Sequence, residues 1–339
     1  MKEFAYNYIY FCCVEGKINL NPNGYYTICS RDLDNVEGIE AVHYPLWHKP
    51  LLLRLIYTIH NSRKINNRIN IPFKKLWWPI IFDGSFSKKK PLCFVFEERM
   101  PIEYIEYLKN KYEGSRAVLI YRDLKKITQS IYPNHPDNPV FDLQMTIDAR
   151  EAKQYGWGHF DEYESKPEVK LSNNYPESDV FFAGKAKDRL PRLLRAYEIF
   201  TKAGLRVKYF LTEVPKSDRK PLPGVEYADK FMTYTEMLYH TVNSRCVLEI
   251  NQAEAVGYTS RFLEAVMFNK RLITDNQDVK KSKFYSPENI LCIKDVNDIL
   301  ASFVTNDNIV DYKYDNEFSP VHLIENIDEE LFKRYGIKQ

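Results

Sequence analysis

Short apolar runs alternate with helical periodicity through the second half of the chain. Asp179–Ala183 (DVFFA) is a β-rich run. From Asp188 to Ala203, Leu190, Leu193, Leu194, Tyr197 and Phe200 recur at steps of three and four, so they share one helix face. Gly204 ends that helix. Val207–Leu211 and Val225–Tyr227 read as strands, separated by the turn-rich Pro215–Gly224. Thr235–Val242 reads as a helix capped at Thr233 or Thr235. Cys246–Ile250 reads as a strand, Ser260–Phe268 as a helix, and Arg271–Thr274 and Asn289–Ile293 as strands. Such an order predicts parallel βαβ units with helices on both faces of a sheet.

The first half is less regular. Pro91–Glu97 and Ala117–Tyr121 read as strands around an amphipathic helix at Ile102–Lys111, which makes one βαβ unit. Phe141–Ile147 is a further strand, and Asp148–Tyr155 a helix capped by Asp148. Tyr6–Val14 reads as the first strand. The 339 residues suit two domains. The expected class is α/β, with two doubly wound parallel-sheet domains at 1–155 and 176–339. A polar linker without periodicity, 156–175, lies between them.

Composition mainly excludes. The net charge is +2, which gives no sign of a nucleic-acid partner. No window approaches about 18 uninterrupted apolar residues, so no membrane-spanning helix is expected. The N-terminus lacks the pattern of a signal peptide. The six cysteines are scattered without a C-x-x-C pair, and several sit inside apolar runs, which suits reduced, buried thiols in a cytoplasmic protein. The seven histidines are dispersed, and no metal site is expected. The charge is uneven, however. Arg54, Arg63, Lys64, Arg68, Lys74, Lys75 and Lys88–Lys90 are interleaved with Trp77 and Trp78, and preceded by Trp47, in a basic and aromatic stretch over residues 51–90. That stretch suits an anionic membrane surface or, equally, a solvated basic loop over buried tryptophans.

Ligands of open parallel sheets bind beyond the carboxyl ends of the strands. After DVFFA come Gly184, Lys185, Lys187 and Arg189: a small residue and cations that suit a phosphate, although the G-x-x-x-x-G-K-[ST] loop is absent. After Cys246–Ile250, a polar loop runs through Glu254 to Gly257 and Tyr258. Thr259, Ser260, Arg261 and Glu264 then open a helix. Its N-terminal amides and Arg261 suit a diphosphate, and Glu264 a ribose diol. The plain alternative is a Thr or Ser cap and a surface carboxylate.

Strand, loop, Gly-x-[ST]-x-Arg-x-x-Glu-Ala and then RLITDN resembles the C-terminal domain of GT-B glycosyltransferases, most of all those of bacterial capsule, O-antigen and exopolysaccharide synthesis. The likeness covers about residues 176–295, and 91–155 more loosely. It implies two Rossmann-like domains facing a cleft and a nucleoside-diphosphate sugar, a UDP-sugar, as donor. It also implies a lipid-linked or oligosaccharide acceptor at the inner face of the cytoplasmic membrane, and no cofactor or metal. By resemblance, Glu264 holds the ribose. Gly184, Lys185, Arg189, Gly257, Tyr258, Thr259, Ser260 and Arg261 hold the diphosphate. Val225 and Tyr227 lie by the base, and Glu254 near the donor sugar. One departure stands out: retaining members show Glu-x7-Glu, whereas nine residues separate Glu254 from Glu264. An inverting transfer is therefore expected, with one general base from the N-terminal domain. Glu98, Asp123, Asp83 and His48 are its candidates. The alternatives are transfer of a pyruvyl or polyol-phosphate group, or a non-catalytic carbohydrate- or nucleotide-binding partner in a polysaccharide assembly.

Overall fold

The computed structural model describes residues 3–336, except 13–23, 44–45, 47–48, 61, 63–64, 66–67, 70, 83–89, 98–99, 132 and 253–255. The chain forms two compact units, one of Met1–Ser165 with Phe318–Gln339 and one of Lys166–Glu317.

The first unit is built on six strands: β1 (Asn7–Phe11), β2 (Ile39–Val42), β3 (Leu92–Glu97), β4 (Arg116–Tyr121), β5 (Leu143–Thr146) and β6 (Gly158–His159). Their order is β2-β1-β3-β4-β5-β6, and every pairing is parallel. Alternate side chains of β1 enter different cores. Ile9 and Phe11 pack with Phe94, Phe96 and Tyr104. Tyr8 and Tyr10 pack with Cys93, Val95 and Ile324. Burial on both faces is why the central strands read as unbroken apolar runs. Helices α1 (Leu51–His60), α2 (Ile102–Lys111) and α3 (Ala149–Tyr155) belong to this unit. Asp148 caps α3, accepting the Arg150 amide at 2.8 Å.

The domain boundaries depart from the expectation. The segment expected as a linker starts with β6, which pairs with β5, and continues into Phe160 and Tyr163 of the first unit's core. The C-terminal helix, Pro320–Tyr335, also belongs to the first unit rather than the second. Its Leu323, Ile324, Ile327 and Leu331 are buried with Tyr6, Tyr8 and Val95. Asp328, itself buried, accepts hydrogen bonds from the Tyr8 hydroxyl (2.7 Å) and the Ala5 amide (3.1 Å). An apolar stripe shows that a helix face is buried, but not which sheet buries it.

The second unit carries β7 (Ser178–Lys185), β8 (Val207–Thr212), β9 (Val225–Ala228), β10 (Ser244–Glu249), β11 (Arg271–Thr274) and β12 (Ile290–Cys292). The order is β12-β11-β10-β7-β8-β9, again all parallel. Helices α4 (Leu190–Lys202), α5 (Tyr234–Val242) and α6 (Ser260–Met267) connect the strands. Thr233 and Glu236 form a reciprocal capping box on α5. The doubly wound parallel-sheet architecture is thus present in both units. The five described cysteines are free thiols, four of them buried. Among the described residues no helix is long and apolar enough to cross a membrane.

Candidate functional site

The order of the second sheet puts a topological switch point between β7 and β10. The chain leaves β7 towards β8 and β9, but leaves β10 towards β11 and β12. The crevice outside such a point is where open α/β sheets bind ligands. Arg189 lies across it. Its Nε donates to the carbonyl of Lys185 at 2.9 Å, and its Nη1 to the carbonyl of Ile250. The guanidinium lies 5.1 Å above the Phe182 ring. Among the described residues no carboxylate forms an ion pair with it. Burial, and next the positive charge of Arg261, hold Arg189 below the ordinary arginine value. An anion placed here would relieve both. Gly184 makes room for the guanidinium, because a Cβ there would stand 2.7 Å from Arg189 Nη2.

The N-terminus of α6 lies on the β10 side of this point. Thr259 caps the helix, accepting the Arg261 amide at 3.2 Å. The same hydroxyl donates to Glu249, which ends β10 and also receives the Thr274 hydroxyl from β11. Gly257 takes a positive φ of 68° in the preceding loop, and its carbonyl is held by Asn276 Nδ2 at 2.8 Å. The Tyr258 ring packs on Phe262, at 4.9 Å. Ser260 opens the helix and is partly exposed. Arg261 pairs with Glu264, which is fully buried. The surface-carboxylate reading of Glu264 is therefore wrong. Glu264 Oε1 is buried and has no hydrogen-bond partner among the described residues.

Burial pushes both Glu249 and Glu264 above the ordinary carboxylate value. The Thr259 and Thr274 hydroxyls counter this at Glu249, and Arg261 counters it at Glu264. A carboxyl with a raised folded value holds a proton that the unfolded chain has released. Its contribution to stability therefore falls as pH rises from the ordinary glutamate value, about 4.3, towards the raised one. Glu249→Gln removes one such group. The melting temperature of the variant relative to wild type should climb with pH across that window. A pH-independent difference would reject this account of Glu249.

The second unit holds one hollow beside the site and another at its edge strand. One, of about 350 Å³, is lined by Arg192, Asn251, Gln252, Asp275, Asn276 and their neighbours. Arg192 bonds Asp275 at 2.7 Å and the Asn251 carbonyl at 2.6 Å, and Asp275 accepts the Asn251 amide at 2.8 Å. The other, of about 540 Å³, lies against β9 and is lined by Arg219, Leu222, Pro223, Val225 and Tyr227, among others. The two residues expected near a base thus share one hollow. Lys185 is tied at 2.7 Å to Glu213, and Lys187 at 3.4 Å to Gln252.

Sequence reasoning missed Arg192, Glu249, Asp275 and Asn276. A signal for two of them was present. Arg192 follows Arg189 by three residues, on the same helical face. Glu249 is the one acid in an otherwise apolar strand, CVLEI.

Of the general-base candidates, Asp123 is exposed just after β4. Glu98, Asp83 and His48 lie outside the described residues, as does Glu254. Beside Asp123, Arg122 pairs with Glu162, donates to the Tyr25 hydroxyl at 2.9 Å and lies 3.6 Å from Glu97. The Tyr10 hydroxyl in turn donates to Glu97 at 3.0 Å. The first unit also holds an Asp-x-Asp triplet, Asp32-Leu33-Asp34. Asp32 accepts the Ser319 hydroxyl at 2.6 Å, and Asp34 lies 2.6 Å from His43 Nε2. Among the described residues no cluster of side chains could hold a metal ion.

No protein-family profile matches the chain, and no curated protein matches it. Solved structures similar to it include the glycosylation-associated protein (Gap123) complex of Streptococcus agalactiae. The identity there is 10%, over 74% of this chain and 55% of that one, with a TM-score of 0.41. A UDP-forming alpha,alpha-trehalose-phosphate synthase of Burkholderia xenovorans shows 10% identity over 72% of each chain, at a TM-score of 0.43. The UDP-N-acetylglucosamine 2-epimerase of Rickettsia bellii shows 10% identity over 98% of this chain and 97% of that one, at 0.45. The chain spans about half the length of the first of these.

Proposed function

We propose that the chain is a cytoplasmic glycosyltransferase. In this reading it takes a sugar from a nucleoside diphosphate, a UDP-sugar, and passes it with inversion to a lipid-linked cell-surface polysaccharide. The observation that carries this reading is Arg189, a cation at the switch point that no described carboxylate pairs with, with Arg261 and the α6 N-terminus on the neighbouring strand's side. Fixed cations and helix amides would hold the diphosphate and stabilise the charge that develops as it departs. Neither role requires a metal. The hollow of amides and carboxylates beside Asp275 suits a hydroxyl-rich sugar. The hollow at Val225 and Tyr227 suits the base. Glu264 Oε1, which has no partner among the described residues, would accept from the ribose. A general base would take the acceptor's proton.

Calorimetry of the full chain with UDP, followed by UDP release from a panel of sugar nucleotides, tests the reading. Binding and turnover are expected. Glu264→Gln should lower UDP affinity about tenfold, or ~1.4 kcal/mol. Binding without turnover of any sugar nucleotide would make the protein a non-catalytic partner. Absence of binding to every nucleoside diphosphate would end the proposal.

A further inference from the structure

Helix α1 turns its apolar side outwards. Of its ten residues only Tyr57 is buried. Leu51, Leu52, Leu55, Ile56 and Ile59 are between 46% and 69% exposed, and their spacing gathers them in one stripe. The inner side is fixed. Tyr57 meets Trp77 edge-on at 5.1 Å. His60 Nδ1 accepts the Trp77 indole N–H at 3.0 Å, and its Nε2 lies 2.5 Å from the Pro72 carbonyl. That clasp holds residues 72–77 against the end of the helix. They add Phe73 and Leu76, 74% and 72% exposed. Seven large apolar side chains in water mark an interaction surface.

Charge decides what covers it. From Leu51 to Phe82 the sequence contains no Asp or Glu, but holds Arg54, Arg63, Lys64, Arg68, Lys74 and Lys75. Arg68 and Lys75 are exposed and Lys74 partly so. A second copy meeting this face with its own would set these cations against their equivalents. An anionic bilayer offers hydrocarbon and opposite charge together.

We propose that α1 and the Phe73–Leu76 segment seat the chain on an anionic lipid bilayer. The aliphatic stripe enters the boundary between headgroups and acyl chains, while Arg68, Lys74 and Lys75 meet lipid phosphates. This revises the sequence expectation about which groups make the contact. Trp77 is buried, and Trp78 packs on Tyr104 and Tyr107, so the aliphatic residues take the role given to tryptophan. Lys90 is turned to Glu3 and the Phe4 carbonyl, at 2.9 and 2.7 Å.

Cosedimentation of the full chain with phosphatidylglycerol–phosphatidylcholine vesicles, and with phosphatidylcholine alone, tests the surface. The wild type should bind the anionic vesicles, bind neutral ones weakly and release with salt. Leu52→Glu/Ile56→Glu and Lys74→Glu/Lys75→Glu should each lose at least about tenfold in binding. All four residues are exposed or partly so, and circular dichroism checks that both variants stay folded. Should the first variant misfold, the second and the salt dependence still decide. The proposal is overturned by a wild type that ignores anionic vesicles, or by folded variants that bind unchanged. It is also overturned by a wild-type dimer, seen in sedimentation velocity, that Leu52→Glu/Ile56→Glu dissolves. Vesicle binding needs no nucleotide, so its failure is distinct from failure of UDP binding.

Discussion

Arg189→Met is expected to reduce affinity for UDP about a hundredfold, or ~2.7 kcal/mol. Hydrogen bonds to a charged group are worth roughly 1.5–3 kcal/mol, and more is lost where few waters can replace the donor. Arg189 is partly buried over Phe182, and its ion-pairing capacity is unused by the described carboxylates. It also bridges the ends of β7 and β10 through the Lys185 and Ile250 carbonyls. The substitution should therefore lower stability as well, by about 1 kcal/mol for each neutral hydrogen bond removed. Arg189→Lys separates the two effects. A lysine keeps the charge but cannot reach two carbonyls and an anion with one planar fork. Its affinity should fall between wild type and Arg189→Met. Calorimetry on the three proteins gives the ordering, and an unchanged dissociation constant for Arg189→Met would remove Arg189 from the site.

The second large effect concerns the frame. Gly224, just before β9, has a φ of +77°, and a Cβ on it would lie 1.9 Å from the Val207 carbonyl oxygen. The Gly224 carbonyl accepts the Tyr209 amide at 2.8 Å, so this residue is part of the β8–β9 pairing. In Gly224→Ala the left-handed conformation costs about 1–2 kcal/mol. The clash is with backbone, so no rotamer change relieves it, and β9 must shift. A loss of at least ~3 kcal/mol in urea denaturation is expected. Gly204, after α4, gives an internal control. It too has a φ of +77°, yet nothing lies within 4 Å of its notional Cβ. Gly204→Ala should show only the conformational cost. Equal losses in the two variants would mean that the close approach at Gly224 is absent. Displacement of β9 would also move Val225 and Tyr227, which line the proposed base hollow.

What the sequence disclosed follows from what each pattern encodes. Strands covered on both faces stand out as apolar runs, so β3, β4, β7, β8, β10 and β11 were placed within two residues. Helix α2 was placed at both ends and the Asp148 cap was identifiable from residue type and position, whereas Thr233 was one of two candidates for the cap of α5. Ile39–Val42 was missed because its four residues, IEAV, include a glutamate and make no apolar run. The loop after β7 and the start of α6 were recognisable because strand ends precede them. The fates of their side chains were not. Glu264 turns inwards to Arg261, and Lys185 turns to Glu213. Such choices depend on partners distant in sequence, which local spacing does not record.

The return of Pro320–Tyr335 to the first unit has a consequence for folding order. Residues 166–317 are a continuous insertion within a discontinuous unit. On the ribosome the insertion holds all of its own sheet and can close as soon as it has emerged. The earlier unit then waits with Tyr8 and Val95 uncovered until the helix that packs against them has been made. Chains stopped before Pro320 would leave that face open, so arrested synthesis should yield an insertion that folds and an enclosing unit that recruits chaperones.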